Sequence, residues 1–76
     1  MKDLLGSRIK QLRLKQGMTQ ETFAKKIGYR HAAIISEIES GKKKLSSDKL
    51  PIVANVLDVD INSLFFEEKV LITRTN

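Results

Sequence analysis

The chain has 76 residues, no cysteine, one histidine and a formal net charge of +5. That length supplies one small domain with a modest core. The missing cysteines exclude disulfides, thiolate zinc sites and cysteine nucleophiles, and a lone His31 cannot build a multi-histidine metal site. No run approaches the ~18 apolar residues of a membrane span, and no apolar amino-terminal stretch suggests a secretion signal. The expected setting is a reduced cytoplasm with no membrane partner.

The charge is unevenly placed. Residues 1–49 carry twelve Lys/Arg against five Asp/Glu, and residues 50–76 carry two against four. A basic first half beside a mildly acidic end fits a polyanion-binding face. Lysines that merely keep a small domain soluble account for the same numbers.

Leu5, Ile9 and Leu12 recur at helical spacing, which predicts an amphipathic helix from about Leu4 to Lys15. Leu14 falls off that stripe. Gly17 is the expected terminator, because glycine accepts the left-handed conformation that ends helices. Thr19 sits where an N-cap belongs, and Glu21 favours the positive end of the helix that follows. Phe23, Ala24 and Ile27 give that helix its buried face, and Gly28 ends it. A helix so short needs tertiary contacts to persist.

The pattern resumes at about His31, with Ile35 and Ile38 facing inward and a stop at Gly41. Lys42, Lys43 and Lys44 then place three positive charges on a loop. Ser46 and Ser47 compete as N-caps of a fourth helix whose buried stripe is Leu50, Val53, Ala54 and Leu57; Pro51 is tolerable near its start. Asp60 can cap a last short helix containing Ile61, Leu64 and Phe65. Residues 67–76 are dominated by β-branched side chains. They read as an extension that is either a strand paired with a partner's copy or disordered, since one strand cannot stabilise itself. The expected fold class is all-α, a compact bundle of five short helices over residues 1–66.

Gln20-x3-Ala24-x3-Gly28, then Ile35-Ser36-x-Ile38-Glu39-x-Gly41, then Leu57 to Leu64 (LDVDINSL), resemble the Cro/repressor-type helix-turn-helix family. This group is also called the xenobiotic response element family. The resemblance covers roughly residues 4–66, and several spaced matches carry it where one alone would be weak. It implies a lambda-repressor-like DNA-binding domain. The physics of the residues agrees: Ala24 is small where two helices cross, and Gly28 supplies a positive φ between them. Ile35 and Ile38 pin the second helix and free its opposite face for the major groove.

One departure stands out. Twelve residues separate Gly28 from Gly41, where the family usually has eleven. The alternative register, with Ile34 and Glu37 inward, would bury a carboxylate without a partner, which is expensive. The extra residue therefore falls in the turn, near Tyr29-Arg30-His31.

Carried over in this register, the resemblance implies that Ala32, Ala33, Ser36 and Glu37 face base edges, with Arg30 and His31 adding contacts from the turn. Alanines can read thymine methyls, and Glu37 can accept from cytosine N4; helix propensity alone also explains Ala32 and Ala33. Thr19 and Gln20, at the start of the first motif helix, and Lys42, Lys43 and Lys44 are the implied phosphate contacts. Arg13 and Glu39 match a pair that bridges the first and third helices and aligns Arg13 beside a phosphate.

The resulting expectation is a transcription regulator or repressor that binds double-stranded DNA as a homodimer, because one unit offers too few base contacts for useful specificity. Its dimer surface is expected from Val59, Ile61, Phe65, Phe66, Val70 and Ile72, with Ile52 and Val56 as further exposed apolar candidates. An enzyme is unsupported: no nucleophile–base set, glycine-rich phosphate loop, cofactor motif or small-molecule pocket is visible. An antitoxin or restriction–modification controller with a protein partner is compatible with the same motif.

Overall fold

The computed structural model describes residues 4–65, and among them it contains α1 (Leu4–Lys15), α2 (Gln20–Lys26), α3 (Ala32–Glu39), α4 (Leu50–Val56) and α5 (Ile61–Phe65). No strand occurs among the described residues. The 67–76 extension, with Phe66, Val70 and Ile72, lies outside them.

Apolar spacing decides which faces meet. Ile9 and Leu12 of α1, Phe23 and Ala24 of α2, Ile35 and Ile38 of α3, Val53 and Ala54 of α4 and Leu64 of α5 join Ile27 and Leu57 in one core. α2 packs on α3, α1 on α3 and α5, and α4 on α5. Leu14, off the α1 stripe, is 57% exposed.

α1 through α4 all end on the same backbone device. Gly17, Gly28, Gly41 and Asp58 hold φ of 74°, 94°, 85° and 61° respectively. In each case the next N–H turns back to the carbonyl five residues earlier: Met18 to Arg13, Tyr29 to Ala24, Lys42 to Glu37 and Val59 to Ala54. This is the Schellman closure, which satisfies a carbonyl that the helix ladder leaves free. Met18, Tyr29 and Val59, the residues just past the turns, pack against the core, the apolar contact that commonly accompanies the closure.

The start of the fourth helix departs from expectation. Ser46 does not cap a backbone N–H; its hydroxyl donates to Asp48 Oδ1 at 2.7 Å. Ser47–Lys49 form a 3-10 turn, and the α-helix begins only at Leu50, with Pro51 in its first turn. Proline's fixed φ and missing N–H suit that first turn, so the serines upstream close a tighter one. The Ser46 hydrogen bond also holds the exposed Asp48 carboxyl below its ordinary range. Asp60, by contrast, caps α5, its carboxylate accepting from the Ser63 N–H at 3.1 Å.

α1 serves as the tie-bar of the bundle. Arg8 Nε donates to the Ser63 carbonyl at 2.9 Å and Gln16 Nε2 to the Leu57 carbonyl at 3.2 Å. Both acceptors lie at helix carboxy-terminal ends, where carbonyls lack ladder partners. Gly6 marks the closest approach of α1 to α3: a Cβ there would collide with the Ile38 carbonyl oxygen and lie 2.9 Å from that of Glu39.

Candidate nucleic-acid interface

α3 has two distinct faces. Ile35, Ile38 and Glu39 are buried, whereas Ala33, Ser36, Glu37 and Ser40 are exposed. The exposed four recur at i, i+3, i+4 and i+7, one continuous stripe of a helix. Ala32 sits on the flank, half-buried, and Ile34 on the other flank packs against the core. The base-facing set implied by the resemblance includes Ala32, which lies on the flank, and gives no base contact to Ser40, whose outward position completes the stripe. The helix itself spans Ala32–Glu39 rather than 31–40, with His31 at the N-cap in an extended conformation.

Basic side chains flank this stripe at both ends. Arg30 and His31 are exposed just before α3, and Lys42, Lys43 and Lys44 are exposed just after it. The lysine loop is anchored where it leaves the helix, because the Lys42 and Lys43 N–H groups both donate to the Glu37 carbonyl, at 2.9 and 3.2 Å. Its charges therefore stand beside the negative end of the α3 dipole, a favourable placement. The outward face itself carries only small side chains and one carboxylate.

A buried polar network fixes α3 to the helices behind it. Arg13 Nε donates to Glu39 Oε2 at 2.7 Å and Nη2 to Oε1 at 3.1 Å, a bidentate pair. Arg13 Nη1 donates to the Met18 carbonyl at 2.7 Å, and Gln20 Nε2 to Glu39 Oε1 at 3.1 Å. Arg13 is 5% exposed and Glu39 8%. Among the described residues no buried side-chain polar atom lacks a partner. A buried charge is tolerated only under such pairing.

Arg13 is thus an interior brace, and its side chain is withdrawn from the surface where a phosphate contact was expected. Gln20 is half-buried with its amide turned toward Glu39. Thr19 is exposed, its hydroxyl oxygen accepting the Thr22 N–H at 3.0 Å as the α2 cap. Glu21 lies 3.8 Å from Lys25 on the outer side of α2, an exposed pair worth little.

The sequence reading missed one contact at the turn. Lys49 reaches from the 3-10 turn to place its ammonium 5.1 Å from the centroid of the half-buried Tyr29 ring. Nothing in the local pattern around Lys49 signals this; only the folded chain brings residues 29 and 49 together. Elsewhere on the surface, Val59 is half-buried against the core and Ile61 is 40% exposed. Ile52 is also exposed, whereas Val56, expected with it, packs on the core. No helix among the described residues is long and apolar enough to cross a membrane.

The helix-turn-helix family profile matches residues 9–64, and the chain belongs to that family, DNA-binding proteins of the Cro/repressor type. It is 41% identical over 59 residues to an uncharacterized HTH-type transcriptional regulator from Archaeoglobus fulgidus, covering 78% of this chain and 83% of that protein. Its fold matches the crystal structure of a restriction-modification controller protein from Aeromonas hydrophila with a TM-score of 0.73 and 30% identity, covering 80% of this chain and 87% of the other.

Proposed function

We propose that this protein regulates transcription by binding a (pseudo)palindromic operator as a homodimer, with α3 in the major groove of each half-site. The observation that carries the proposal is the arrangement of α3: an outward stripe of Ala33, Ser36, Glu37 and Ser40, flanked by Arg30 and His31 on one side and Lys42 to Lys44 on the other. Arg30 at one end and the three lysines at the other suit the phosphate walls of the groove, and small side chains between them admit base edges. The Arg13–Glu39–Gln20 network supplies the rigidity such a helix needs. A role as a restriction–modification controller is a specific form of the same proposal, supported by the structural likeness to one such protein.

The phosphate grip is assigned to the loop. If Lys42, Lys43 and Lys44 each neutralise a phosphate, log affinity falls steeply with log salt. The triple Lys→Ala variant should then flatten the slope by up to about three per subunit. Titrations of a selected duplex across salt concentrations measure this, and an unchanged slope would remove the loop from the interface. Selection from random duplexes, read for half-site symmetry, supplies that duplex and tests the dimeric mode at once.

A further inference from the structure

The turn between α2 and α3 is one residue longer than the resemblance leads one to expect, and something must fix its path. Its own hydrogen bonds do so only in part. Tyr29 N–H closes on the Ala24 carbonyl at 2.8 Å, whereas Arg30 and His31 are exposed and His31 makes no side-chain cap bond. The remaining constraint comes from outside the motif. Lys49, half-buried in the 3-10 turn before α4, lies with its ammonium 5.1 Å from the Tyr29 ring centroid. The same ammonium stands 2.9 Å from where a Cβ on Gly28 would be. One cation thus covers both the left-handed glycine and the aromatic residue beside it, close to the carbonyl end of α2.

We propose that Lys49 and Tyr29 form a clamp that sets the approach angle of α3, which makes them positioning residues for sequence discrimination. The proposal rests on the DNA-binding reading above. A cation held against a ring face is attracted by the ring quadrupole. Here it joins two segments twenty residues apart in the chain. Released, the turn would sample paths in which Arg30, His31 and the first residues of α3 no longer meet the bases in register. Only the properly angled fraction binds a specific site, so specific affinity falls in proportion to that fraction. Non-specific binding, which is electrostatic, does not depend on the angle.

A side chain at Gly28 is disfavoured by its positive φ of 94°, and a Cβ there would also have to push the flexible Lys49 ammonium off the turn. A lysine serving only as a phosphate contact would extend into solvent. This one folds back over the turn.

The test compares Lys49→Met, Lys49→Arg, Tyr29→Leu and Tyr29→Phe, with binding to a selected duplex and to a scrambled duplex measured across salt concentrations. Tyr29→Leu should lower the ratio of specific to non-specific affinity about two- to fivefold, the range a partly exposed cation–π contact spans. Its salt slope should stay unchanged. Lys49→Met should give the same loss of ratio, Lys49→Arg and Tyr29→Phe should restore it, and the Met/Leu double variant should lose no more than either alone. A drop in the salt slope of about one for Lys49→Met, with the ratio intact, would make Lys49 a plain phosphate contact and overturn the clamp; additive losses would overturn it too. Amide hydrogen exchange at Tyr29, Arg30 and His31 in the protein alone provides a readout that needs no DNA. Faster exchange in Lys49→Met supports the clamp even if no duplex is bound, and unchanged exchange refutes it. Should Tyr29→Leu fail to fold, the Lys49→Met and Lys49→Arg arm decides.

Discussion

Asp58 holds a φ of 61° at the end of α4, in a position that three glycines fill at the ends of α1, α2 and α3. A side chain in the left-handed region crowds its own backbone, although aspartate bears this better than most residues. Glycine has no such cost in the folded state, and its greater freedom in the unfolded chain offsets part of the gain. Asp58→Gly should therefore stabilise the protein by about 0.5 kcal/mol. Urea denaturation followed by circular dichroism measures it, and a loss of stability would mean that the Asp58 side chain does more at this corner than its exposure indicates. At this scale the sequence was legible wherever the chemistry is local. Thr19 caps α2 and Asp60 caps α5 because a hydroxyl or carboxylate three residues upstream is within reach whatever the rest of the chain does. Ser46 departs from that pattern: its hydroxyl is oriented to donate to Asp48, two residues away, and accepts no backbone N–H. Lys49 was illegible because its partner Tyr29 is twenty residues away and the contact exists only after folding.

The pairing of α1 with α3 turns on a residue that helix propensity would reject. Gly6 lies in the first turn of α1, where alanine is favoured by about 1 kcal/mol in an isolated helix. The carbonyls of Ile38 and Glu39 occupy the space a Cβ needs, and backbone cannot move aside as a flexible side chain can. Gly6→Ala should thus destabilise by roughly 1–3 kcal/mol, the cost of overpacking, despite its better propensity. A thermal melt gives the sign directly; a higher Tm would mean the two helices separate without penalty. The outward face of α3 yields a second test at this scale. Glu37 is exposed beside small neighbours, and a carboxylate there can accept from a cytosine amino group. Glu37→Ala is expected to relax preference at one position per half-site by ~1–3 kcal/mol. An unaltered consensus from site selection would show that Glu37 reads no base. The Ile35/Ile38 spacing and the expense of burying Glu37 were enough to orient α3 from sequence. Gly6 was passed over because a glycine on a helix shows nothing of the element it touches.

At the scale of the whole molecule, two surfaces differ in kind. The α3 surface presents cations and small polar groups, and the α4–α5 surface exposes isoleucines among Asn55, Asp58, Asp60 and Asn62. Ile52 and Ile61 are 42% and 40% exposed. A shallow groove lined by Pro51, Ala54, Asn55, Val59, Asp60, Ile61 and Asn62 runs between the two helices. Exposed isoleucines beside a groove have a use if a second copy covers them, and a two-fold arrangement would place the α3 helices of both copies on the same face of a duplex. Under that proposal Ile61→Asp removes about half of one isoleucine's burial from each copy and adds a buried charge. Taking about 1.5 kcal/mol per side, counted twice by symmetry, the dimer constant should weaken roughly a hundredfold. The fold should survive, because Ile61 lies outside the buried core. Deleting residues 67–76 should weaken association as well if that extension pairs with a partner's copy, the first of the two alternatives its β-branched composition left open. Sedimentation velocity over a concentration series separates the outcomes. A shift to monomer in both variants places the interface on the α4–α5 side with the extension contributing; a shift in Ile61→Asp alone confines it to the helices; and no shift in either moves the dimer surface elsewhere, leaving α3 to read its half-site through a different arrangement of copies.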